Sequence, residues 1–109
     1  MAYLQHCIFL DADSTVTTSV PLTINSKAET MKLSVEGAGT LDVTIEGKIV
    51  PLAPDYYDIA AVKLADYTVV AKIEAAGLYA VDVQGLAQVR IVNGGSAGDV
   101  TVVGVVVGQ

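Results

Sequence analysis

The sequence predicts an all-β fold, an antiparallel β-sandwich of jelly-roll type with about eight strands and little helix. Three observations carry this. Valine occurs 18 times, threonine 9 and isoleucine 7, so 34 of 109 residues are β-branched and suit a pleated surface better than a helix. Apolar residues recur with period two in several segments, which gives a strand one buried face. Clusters of Gly, Pro, Asn, Asp and Ser separate these segments at intervals of about ten residues. A chain of 109 residues has room for one core, so residues 1–109 are read as a single domain.

In chain order, residues 3–10 are a first strand or, within residues 1–14, an arm that docks on a neighbour. Residues 16–24 place Val16, Val20, Leu22 and Ile24 on one face. Pro21 cannot donate to a ladder, so that strand lies at an edge or bulges. Residues 31–36 and 40–46 have apolar odd positions and flank Gly37-Ala38-Gly39. They read as a hairpin with Val35 opposite Leu41, Leu33 opposite Val43 and Met31 opposite Ile45, closed by a left-handed Gly39. Residues 67–74 and 78–83 repeat the device around Ala75-Ala76-Gly77, setting Ile73 against Tyr79, Ala71 against Val81 and Val69 against Val83.

Between these hairpins, residues 51–58 form a turn-rich crossing, and residues 59–64 fit either a short helix or a strand. Residues 89–92 and 100–107 are the closing strands. The link between them, residues 93–99, is rich in residues that tolerate positive φ.

Charge narrows the functional classes. Twelve acidic against six basic side chains give a net charge of −6, and the pI is near 4.4. That balance opposes binding to nucleic acid or to anionic lipid. The longest apolar run, residues 102–107, is far short of the roughly 20 residues a membrane-spanning helix needs. No basic region precedes an apolar stretch at the N-terminus, so the chain is expected to be made and kept in a cytoplasm unless an assembly carries it out. Cys7 is the one cysteine, which rules out an intrachain disulfide and a cysteine metal cluster.

No motif supports catalysis, and no cofactor or metal is expected. His6 and Cys7 are adjacent, but neighbours in a strand point to opposite faces and make a poor base and nucleophile pair. Asp11 and Asp13 share a face if extended and offer oxygen ligands of the kind calcium takes, although a solvated turn explains them more simply. Tyr56 and Tyr57, beside Asp55 and Asp58, form a candidate patch for a sugar or a partner, or else pack at a strand end. Residues 93–98 lack the lysine and following helix of a phosphate loop.

The C-terminal strand is apolar on both faces, so Val103, Val105 and Val107 need cover from outside the core. A covering loop would supply it, as would a subunit interface. A mean hydropathy of +0.55 in so small a chain favours the interface and hence a homo-oligomer.

Gly77, Tyr79, Val81-Asp82-Val83, Gly85-Leu86, Val89-Arg90-Ile91, Gly98 and Val100-Thr101-Val102 form a pattern covering about a third of the chain. It resembles the small all-β structural modules of tailed bacteriophages and prophages. The resemblance implies a virion component found in capsid decoration, head fibres, tails or baseplates, with no catalytic residue. The short length fits a decoration protein, commonly a trimer, whose partners would be its own copies and the major capsid protein or other virion proteins. A tail, baseplate or head-fibre module that binds carbohydrate or a host surface is the alternative.

Overall fold

The computed structural model describes residues 3–96 and 98–108. Among the described residues there are eleven strands and no helix. They are β1 (Tyr3–Asp13), β2 (Thr17–Thr18), β3 (Leu22–Thr23), β4 (Ala28–Gly37), β5 (Val43–Lys48), β6 (Tyr57–Ile59), β7 (Ala61–Lys63), β8 (Thr68–Val70), β9 (Gly77–Asp82), β10 (Gln88–Asn93) and β11 (Val100–Gly108). All pairings are antiparallel. One sheet has the order β1-β11-β4-β9-β7-β8; the other runs β2-β10-β5-β6, with β3 also on β10.

The all-β sandwich is as expected, while the strand number is eleven rather than about eight. Two interruptions contribute to the excess. Pro21 breaks the edge segment into β2 and β3, whose register on β10 slips by one residue between Thr18 and Leu22. The segment after Tyr56 changes sheets at Ala60, so residues 57–63 become two short strands, with no helix.

Neither predicted hairpin forms. The period-two pattern holds in the first, since Met31, Leu33, Val35, Leu41, Val43 and Ile45 are all buried. But β4 pairs with β11 and β9, while β5 pairs with β10 and β6 in the opposite sheet. The chain crosses the sandwich at residues 38–42, where Gly39 has φ of +73° and Leu41 N–H donates to Glu74 O at 2.9 Å. Residues that face each other across a core obey the same parity as residues paired within a sheet, so periodicity could not separate the two arrangements.

In the second, β8 turns back on β7, and β9 lies between β4 and β7. Ile73 crosses over to bridge Val43. Val69 is consequently two-thirds exposed, while Tyr79 and Val81 sit opposite Leu33 and Met31.

One continuous core joins both sheets; Tyr79, Met31, Leu33, Leu41, Ile45 and Ile73 are its largest fully buried side chains. The Tyr79 hydroxyl satisfies itself on Ala75 O at 2.7 Å. Gly104 interrupts the valine run for a packing reason. A β-carbon there would lie 2.9 Å from the Phe9 ring and 3.1 Å from Leu33.

Candidate interaction face

β11 has strand neighbours on both sides, β1 and β4. Val100, Val102 and Val106 are fully buried, so alternation turns Val103, Val105 and Val107 to the outer side of the sheet. Val103 is 37% exposed; Val105 and Val107 are half-buried by their neighbours.

The register continues this face across the sheet. One row runs His6, Val105, Lys32, Ala80, Val62, Val69. The next runs Ile8, Val103, Ser34, Leu78. Directly opposite residues share a face, so both rows look outward together. Leu4 and Ile8 on β1 and Leu78 on β9 are more than half exposed. A shallow groove of about 250 Å³ lies between the rows, lined by Leu64, Leu78, Val103 and Val105 together with His6 and Lys32. Asp and Glu are absent from both rows, although the chain carries twelve of them.

The outer face of the second sheet is different. Arg90 Nε donates to Glu46 Oε1 at 2.7 Å, and its guanidinium lies 3.8 Å from the Tyr56 ring centroid. Lys48 Nζ is 4.7 Å from the same centroid, while the Tyr56 hydroxyl donates to Gln88 Oε1 at 2.9 Å. Tyr56 is therefore engaged within its own sheet. Tyr57 points the other way, exposed, beside a second apolar hollow lined by Gly47, Ile49, Ala53, Ile59 and Leu86. The structure does not bring the two tyrosines together as one patch.

His6 and Cys7 also diverge. His6 looks outward and is exposed, whereas Cys7 packs against the core, where burial pushes its thiol pKa up. Asp11 is exposed. Asp13 instead accepts hydrogen bonds from the Thr17 hydroxyl at 3.0 Å and the Asn93 amide at 2.9 Å. The Asn93 bond, first among several, holds its carboxyl below the usual carboxylate range. Among the described residues no cluster of three or more His, Cys, Asp or Glu is placed to hold a metal ion. Nor does any helix there have the length and apolar character to cross a membrane.

Sequence reasoning missed Asn93 and the loop after β5. Asn93 is legible only as a turn residue, and of the apolar Ile49-Val50-Pro51-Leu52 only Pro51 and Leu52 fall within the predicted crossing, with no sign of their exposure.

No family model and no curated protein matches this chain. Two solved structures share its fold. The SPBc2 prophage-derived protein YomS superposes with a TM-score of 0.86 at 16% identity, over 98% of this chain and 95% of that one. The PBSX exported protein XepA gives 0.88 at 20% identity, over 97% of this chain and 38% of XepA. The chain therefore spans well under half of XepA's length and nearly all of YomS. These neighbours are prophage-derived proteins. At such identities the likeness shows the fold.

Proposed function

We propose that this protein is a structural component of a phage or prophage particle, a capsid-decorating module. Its copies associate as a trimer through the outer face of the six-stranded sheet and stabilise the shell they sit on. The observation that carries the reading is that apolar face, with Leu4, Ile8, Leu78 and Val103 open to water and no carboxylate in its two central rows. Patches of this kind on a small chain mark contact surfaces. The prophage origin of both fold neighbours, one matched over almost its whole length, supports the setting.

The action is mechanical. Each Å² of apolar surface buried between subunits or against capsomers contributes about 25 cal/mol before the cost of association. A net charge of −6 keeps free copies soluble and steers them toward a basic shell surface.

Light scattering of the purified protein, followed by co-sedimentation with purified capsids, tests this. The wild type is expected to be oligomeric and to pellet with capsids, and a Val103→Asp, Val105→Asp variant to do neither. Failure to pellet with capsids, coupled with saccharide binding that Tyr57→Ala abolishes, would overturn the reading in favour of a glycan-binding module.

A further inference from the structure

The loop after β5 is unusual for a small acidic protein. Residues 49–54 read Ile49-Val50-Pro51-Leu52-Ala53-Pro54, without a charge. Leu52 is 93% exposed and Ile49 71%, with Val50 half exposed. This apolar tip is also held in shape. Ala53 N–H donates to Val50 O at 3.0 Å, Lys48 Nζ donates to Ala53 O at 3.2 Å, and two prolines fix their own φ. A preformed apolar knob in water gains by insertion and loses little conformational entropy in doing so.

The groove walled by Leu64, Leu78, Val103 and Val105 has the matching character. Charge adds to the match: Asp55 directly follows the knob in sequence, and Lys32 is among the residues lining the groove. Knob and groove belong to opposite layers. The knob follows β5 in one sheet and the groove lies on the outward side of the other, so a chain cannot fill its own groove.

We infer that the occupant of the groove is the Leu52 loop of a second copy of this chain, Leu52 entering between Leu78 and Val103 with Asp55, which follows the loop, near Lys32. This rests on the reading of the outer face as a subunit interface and names the segment that covers it. Such a contact joins unlike surfaces, head to tail, and closes into a ring when the rotation between copies permits. A cyclic trimer needs a contact of this type, whereas packing one outer face against its own copy ends at a dimer.

The test is a complementation of two variants, Leu52→Asp in the knob and Leu78→Asp in the groove, both at exposed positions. Thermal melts matching the wild type establish that both fold. Each variant alone is expected to be monomeric by sedimentation velocity, with self-association weakened by more than roughly tenfold. Their equimolar mixture is expected to give a 1:1 dimer, because one intact knob and one intact groove remain.

Loss of assembly in Leu78→Asp but not in Leu52→Asp would overturn the knob and leave the face reading standing. Two monomeric variants that fail to form the mixed dimer would show that Leu52 and Leu78 serve separate contacts, overturning the knob-in-groove pairing alone. If neither variant weakens assembly, or the wild type is itself a monomer, both proposals about this face fall. Co-sedimentation with capsids then decides the shell-binding role independently.

Discussion

Asn93 is wholly buried, yet its amide is fully engaged. Its Nδ2 donates to Asp13 Oδ2 at 2.9 Å and Thr15 O at 3.2 Å. Its Oδ1 accepts from Gly95 N–H at 3.2 Å, Ser96 N–H at 3.1 Å and the Ser96 hydroxyl at 2.9 Å. The side chain thus ties the end of β1 to the loop leaving β10. Truncation removes several part-buried hydrogen bonds at once, so Asn93→Ala is expected to cost about 2–3 kcal/mol in urea unfolding. Asp13 shares the knot and titrates with it. Its folded pKa is depressed, chiefly by the Asn93 bond. The bond's contribution is therefore complete above the ordinary carboxylate range and is lost as pH falls below about 4. Melting temperature followed from pH 6 downward is expected to drop less in Asp13→Asn than in the wild type, because the variant has no such contribution left to lose. Equal acid sensitivity in the two proteins would assign the knot no part in it.

At the scale of elements, strands 4 and 5 show why local pattern misassigns partners. A hairpin would set Lys32 opposite Thr44, whereas the sandwich places them on the outer faces of different sheets. Sheets pack about 10 Å apart, beyond the roughly 7 Å that a disulfide can span between Cα atoms. In a Cys7→Ser background, Lys32→Cys with Thr44→Cys is expected to stay reduced under mild oxidation. Ser34→Cys with Leu78→Cys, directly opposite in register, is expected to crosslink. Mass spectrometry after alkylation reads both results, and a crosslink between positions 32 and 44 would restore the hairpin. The sheet edges follow local chemistry more faithfully. Pro21 does break the edge strand, because a residue without an N–H cannot hold its place on β10.

Across the whole molecule, the two outer faces divide the chemistry. One carries the Arg90–Glu46 pair, Tyr56, Lys48 and Gln88 in a satisfied polar lattice. The other carries apolar rows and a groove. Seen from outside, the protein has one face suited to water and one suited to contact, with a stiff apolar loop projecting from the layer that bears the polar face. The proposed subunit role would use that asymmetry, and the assembly and complementation experiments therefore target Val103, Leu78 and Leu52.

How much of this was legible in the chain depends on the range of the interaction. β-branched composition and period-two alternation determined the fold class and most of the inward-facing residues. The reason is that a strand's own backbone assigns side chains to faces without reference to any partner. The outward-facing valines of β11 were legible in the same way, as an apolar set beyond what one core face could use. Which strand lies beside which was decided only in three dimensions, since opposite sheets and paired strands satisfy one parity rule. The roles of Asn93 and Tyr56 likewise depend on Asp13, Gln88 and Arg90, residues that only the folded chain brings near. So does the pairing of a groove on one sheet with a loop on the other, because side-chain neighbours across a sandwich leave no local trace in the sequence.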